Sequence, residues 1–138
     1  MKTNTVITSW TKDTTQFDCV GPSGVSTILG TSEVGKEKIA SPKAMMLSSL
    51  AVCSGLDIVA ILKKMKVELE DFKINTVARL TEEHPKYYDD VTIVYHFFGG
   101  DVEKDKVGKA VDLSINKYCG VMEMFRNFSK ITTVIKYN

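Results

Sequence analysis

Arginine is scarce in this sequence: Arg79 and Arg126 are the only two among 18 basic residues, the rest being lysine. The bidentate recognition of phosphate and carboxylate that guanidinium groups provide is therefore nearly absent. Net charge is also missing, at +1 from 18 basic and 17 acidic residues. A chain so balanced carries no electrostatic footprint for nucleic acid or for an anionic membrane. The two histidines, His84 and His96, stand 12 apart without ligand spacing, and no Cys-x-x-Cys occurs. No metal site is expected. Gly-x-Ser-x-Gly, Walker-type and dinucleotide-binding loops are absent, and Gly99-Gly100 reads as a turn, so no cofactor is expected either. Three cysteines do not make a small-domain disulfide framework.

The N-terminus, MKTNTVITSWTKD, has no apolar core of the kind signal peptides carry. Only one long apolar run exists, residues 44–62, and Ser48, Ser49, Ser54, Gly55 and Asp57 interrupt it. An aspartate near a bilayer centre is costly. The run is read as a buried helix of a soluble protein, with no membrane partner. The expected compartment is the cytoplasm, where structural disulfides are rare.

What is present is an ordinary globular composition, 43% apolar and 25% charged over 138 residues. That length suits one domain spanning residues 1–138, with a core that needs no covalent staples. Val6, Thr8 and Trp10 alternate, Thr11–Thr15 is a polar turn around Asp13, and Phe17 and Cys19 share a strand face. After the Gly21-Pro22-Ser23-Gly24 turn come Val25, Thr27 and Leu29, which completes a three-stranded meander. Residues 30–40 read as a loop. Ser41-Pro42 marks a helix start, an N-cap followed by proline at the first helical position. That helix should reach about Met65, with Lys63, Lys64 and Lys66 favourably placed at its C-terminus.

Phe72, Ile74, Thr76, Ala78 and Leu80 then lie on one face of a strand. Residues 81–90 are a polar turn, and Val91, Ile93, Tyr95 and Phe97 return as a second strand. Asp101 reads as the N-cap of a second helix, whose buried stripe is Val107, Ala110, Val111 and Ser114. It ends between Lys117 and Gly120, VMEMFRNF forms one or two further helical turns, and Ile131–Tyr137 is a final strand. The expected class is α+β.

Cys53 lies mid-way along the apolar helix, where a cysteine serves readily as a small hydrophobe. Asp57, one turn on, shares its face, so that face should meet something polar: a cleft, a cation or another chain. A carboxylate beside a thiol raises its pKa, and an active thiolate here would need a nearby cation. Cys119 precedes the short helical turns. At their N-terminus the dipole and free N–H groups favour thiolate; as a plain loop residue it would be inert. Cys19 is assigned no role. Met45, Met46, Met65, Met122 and Met124 read as core filler that would also suit an adaptable apolar pocket.

SPKAMMLSSLAVCSGLDIVAILKKMKVELEDFKI, followed later by INKYCGVMEMFRNFSKITTVIKY, resembles the OsmC-like proteins. That family includes osmotically inducible protein C and the organic hydroperoxide resistance proteins; the KYCGVMEMF and CSGLDIVAILKK forms look like its YhfA-like branch. The resemblance implies an intertwined homodimer with N-terminal antiparallel strands, a long central buried helix, a second helix and C-terminal strands. It implies a thiol-dependent peroxidase for organic hydroperoxides in oxidative stress defence. Cys53 would attack the peroxide, Cys119 would close a disulfide, and a dithiol reductant would reopen it. The alternative is a non-peroxidase dimer binding a small apolar or thiol ligand in the interface cleft.

Two departures from the resemblance stand out. The peroxidases carry a glutamate where Lys43 stands here, and an arginine from the N-terminal strands, whereas this chain has no arginine before Arg79. Lys43 is ten residues ahead of Cys53, about 15 Å along a helix axis, so it could act only through a bend or across a dimer. Glu123 and Arg126, close after Cys119, are the other local charges that could support the sulfurs.

Overall fold

Alternating side chains at the N-terminus form the expected meander: β1 (Ile7–Trp10), β2 (Gln16–Val20) and β3 (Ser26–Gly30) pair antiparallel in that order. Asp13 takes φ 64° in the first turn and Gly24 takes φ 81° in the second, the left-handed geometry such tight reversals need. The computed structural model describes residues 1–138 as two units, Met1–Met46 and Leu47–Asn138. No residue of the first unit is buried; Ile7, Trp10, Phe17 and Ile28 are among its exposed apolar side chains. Three strands without a covered face are marginal in water.

The second unit is built on the strands β4 (Asp71–Leu80), β5 (Tyr88–Phe98) and β6 (Lys130–Tyr137). β5 is central, antiparallel to β4 and parallel to β6. Its inward positions Val91, Ile93, Tyr95 and Phe97 are all fully buried. They are flanked by Phe72, Ile74, Thr76 and Ala78 of β4, the face expected from alternation. Leu80 leaves that face and is exposed, because a bulge at Arg79/Leu80 shifts the register. β5 also begins earlier than expected, at Tyr88, so the connecting turn is shorter than residues 81–90.

The helix α1 (Pro42–Lys64) starts at its Ser41 cap, whose hydroxyl accepts the Ala44 N–H at 3.2 Å. It is long and apolar enough to cross a bilayer by composition, yet here its stripe Leu50, Ser54, Ile58 and Leu62 is buried in the core with β5. Gly55 lets the helix approach the sheet: an added Cβ would come within 2.9 Å of Ile74 Cδ1. Burial is limited to that side. Val52, Leu56 and Val59, on the opposite face, are 57%, 67% and 49% exposed. The run is apolar all round because it has two apolar stripes, of which only the one through Leu50, Ile58 and Leu62 is buried.

The helix α2 (Lys104–Leu113) begins later than expected: Glu103, not Asp101, occupies the cap position, and it makes no side-chain cap bond. Glu103 instead pairs with Lys106 at 3.3 Å. Val107, Ala110, Val111 and Ser114 are buried as the spacing requires. After α2 the chain widens into a π-helical turn, Ser114–Tyr118, and then forms α3 (Gly120–Arg126). The methionines divide: Met122 is buried, whereas Met46 and Met124 are exposed.

Candidate functional site

Cys53 is half-buried on α1 and Cys119 is buried at the junction of the π turn and α3. The two thiols are near enough to interact electrostatically, Cys53 being one of the groups that raise the Cys119 thiol. Both are free cysteines. Cys19, half-buried on β2, lies in the other unit.

The local geometry that delivers Cys119 is unusual. Its N–H bonds to the Ser114 carbonyl at 2.8 Å, a bond over five residues that closes a π turn. In a continued α-helix, five residues would carry Cys119 roughly 140° away from the Ser114 side. The wider turn returns it above Ser114. Cys119 then caps α3, its Sγ accepting the Met122 N–H at 3.3 Å. That contact favours thiolate, as expected for a cysteine at a helix start, but it is outweighed. Burial pushes the Cys119 thiol up to about 12, and Cys53 adds to the rise, with a smaller contribution from the Asp57 charge. Cys119 is held as the neutral thiol.

A buried chain of hydroxyls surrounds the pair. Tyr95 donates from the sheet to Ser54 Oγ at 2.9 Å, and Ser54 Oγ donates to the Ala51 carbonyl at 3.1 Å. Ser114 Oγ lies 2.9 Å from the Ser54 carbonyl and 3.2 Å from Asp57 Oδ2, sharing its proton between them. Burial raises the Tyr95 phenol above its ordinary value, and the Ser54 bond opposes this. The polar environment expected around Asp57 is therefore a hydroxyl from the π turn. Ser114 was legible as buried from its spacing, but its bonding was not. Ser54 and Tyr95 gave no sequence signal beyond a polar group on an inward stripe.

The other charges expected to support the sulfurs are placed differently. Lys43 is exposed in the first turn of α1. Glu123 and Arg126 pair with one another at 3.5 Å, and Arg126 Nη2 also donates to Asn116 Oδ1 at 3.1 Å, bracing the π turn against α3. Arg79 is bound at both nitrogens by Asp89, at 3.1 and 3.0 Å. Along α1 from Ala51 to Val59, with Phe72 and Ile74 as its other wall, runs an apolar trench of about 390 Å³ that neither cysteine lines.

A family model described as OsmC-like protein matches residues 35–134. Protein YhfA of Escherichia coli K12 is 32% identical over 96 residues, covering 70% of this chain and 72% of that protein. The crystal structure of a hypothetical protein from Aquifex aeolicus superposes with a TM-score of 0.82 at 31% identity, covering 100% of this chain and 99% of that one. The organic hydroperoxide resistance protein OhrB of Bacillus subtilis shares the fold, with a TM-score of 0.66 at 15% identity and 98% coverage of both chains.

Proposed function

Because the chain belongs to the OsmC-like family, we propose that it reduces organic hydroperoxides through Cys53 and Cys119, in defence against oxidative stress. The observation that carries this reading is that Cys119 is tied through Ser114 to the turn of α1 that bears Cys53, near enough for Cys53 to raise the Cys119 thiol. A buried cysteine held neutral cannot be the attacking nucleophile, because only the thiolate attacks. Cys53, half-buried on the helix, takes that role. Its thiolate displaces alkoxide from the hydroperoxide, forming the Cys53 sulfenic acid, and the alkoxide takes a proton to leave as alcohol. The Cys119 sulfur then attacks the sulfenic acid as its proton passes to the departing hydroxyl: an S–S bond forms, the S–H and S–OH bonds break and water leaves. A dithiol reductant of the cytoplasm restores both thiols by exchange.

The apolar trench along α1 supports organic over hydrogen peroxide as substrate. It lies on the exposed stripe Val52, Leu56 and Val59, so the cleft is completed by a second copy of the chain in a homodimer. The N-terminal unit, which has no buried residue, supports the same assembly.

One observation favours a second reading. Both arginines are engaged elsewhere, Arg79 with Asp89 and Arg126 with Glu123 and Asn116. A dimer that holds a small apolar or thiol ligand in this cleft, without peroxide turnover, needs no activating arginine. Free-thiol counting and intact mass after one equivalent of cumene hydroperoxide separate the two readings. Loss of two thiols per chain within seconds, absent in Cys53→Ser and in Cys119→Ser, is the expected result. Undiminished peroxide consumption by Cys53→Ser refutes the assignment, and inert wild-type thiols favour the ligand-binding dimer.

A further inference from the structure

The attacking cysteine stands on a regular helix, whereas the resolving one is delivered by a turn of irregular width. Such turns are rare and recur at functional sites. The outer side of this one is braced by Arg126 on Asn116 at 3.1 Å. Its inner side is held at its first residue, Ser114, which is fully buried. The Ser114 hydroxyl meets α1 at two points one turn apart, the Ser54 carbonyl at 2.9 Å and Asp57 Oδ2 at 3.2 Å. Ser54 follows Cys53 in sequence, and its own side chain is pinned by Tyr95 at 2.9 Å. One turn of α1 therefore locates both sulfurs: Cys53 directly, and Cys119 through Ser114 and the 2.8 Å bond from the Cys119 N–H to the Ser114 carbonyl.

We propose that Ser114, clamped between the Ser54 carbonyl and the Asp57 carboxylate, is the positioning residue of the resolving cysteine. It acts on disulfide closure and leaves the attack of Cys53 on the oxidant untouched. A disulfide tolerates only about 2 Å of spread in Cα separation and a narrow torsion, so a turn free to swing lowers the closure rate steeply. The proposal rests on the peroxidase reading for its place in a reaction. The geometric claim, that Ser114 brings the thiols together, does not depend on the oxidant.

The test has two arms. In the first, reduced protein is treated with one equivalent of cumene hydroperoxide in the presence of dimedone, and intact mass gives the split between disulfide and Cys53–dimedone adduct. Wild type should close the disulfide. Ser114→Ala should divert Cys53 to the adduct by about tenfold or more, with an unchanged rate of Cys53 oxidation, and Asp57→Ala should do so more weakly. Ser114→Thr, which keeps the hydroxyl, should restore closure; a purely structural defect would not separate the two steps in this way. In the second arm, the Cys53–Cys119 disulfide is formed with diamide and equilibrated against dithiothreitol. Ser114→Ala should lower the effective concentration of the pair by the same factor. A wild-type split and a wild-type equilibrium in Ser114→Ala would overturn the clamp. If wild-type thiols ignore the peroxide while the diamide arm separates the variants, the peroxidase reading fails and the clamp stands.

Discussion

Raising the pH should unfold this protein partly through one buried sulfur. Cys119 is 4% exposed and its thiol is pushed up to about 12 in the fold, against about 8.5 in an unfolded chain. A thiol whose folded pKa is raised stays protonated in the native state while the unfolded state releases its proton. Between the two values the unfolded state binds fewer protons, so stability falls as pH rises. The contribution is fully present below about pH 8, falls at about 1.4 kcal/mol per pH unit above pH 9, and is exhausted near the folded value. Between pH 8 and pH 10 the loss is on the order of 1–2 kcal/mol. Urea unfolding under reducing conditions at the two pH values, for wild type and Cys119→Ala, isolates the cysteine pair, since titrating groups remote from it largely cancel in the difference. Wild type should lose about 1.5 kcal/mol more than the variant over this range. Equal losses would refute the claim that Cys119 is held neutral, and with it the division of roles between the cysteines.

Two further perturbations test the surroundings of the pair. Tyr95→Phe removes the hydroxyl that donates to Ser54 and leaves the fully buried ring in place; calorimetry should show a loss of about 1 kcal/mol, or about 3 °C in Tm. An unchanged Tm would mean that the buried hydroxyl chain adds nothing to stability. Leu56→Asp places a charge on a side chain that is 67% exposed in one chain. If that stripe faces a second copy, losing about 1.5 kcal/mol per protomer weakens the dimer by about 100-fold, a shift that sedimentation or size-exclusion over a concentration series reads directly. A dimer unaffected by the substitution would place the interface elsewhere.

Legibility differed from element to element. Phe72, Ile74, Thr76 and Ala78 announce their strand by strict alternation, and Ser41-Pro42 announces the start of α1 by local capping chemistry. Such signals are local: they depend on a dihedral, a period or a neighbour a few residues away. The miscast α2 cap, Asp101 for Glu103, and the exposed Leu80 both arise where a turn or a bulge resets a local pattern. Position alone left both cysteines open to an inert reading; the resemblance of their surroundings to the OsmC-like proteins nominated them as a pair. The Ser114 clamp could not be nominated in that way. Its partners Ser54 and Asp57 lie 60 and 57 residues away, and its consequence runs through a π turn with no signature in composition.

The sequence by itself thus determined the elements and their order, because periodicity and capping act over a few residues of chain, while its resemblance to the OsmC-like proteins marked Cys53 and Cys119 as the chemical candidates. The tertiary structure alone decided that Cys119 is buried, that its thiol is raised and that the Ser114 hydroxyl bonds to Ser54 and Asp57. Proximity across many residues and the dielectric around a buried group are properties of packing, and no short stretch of sequence carries them.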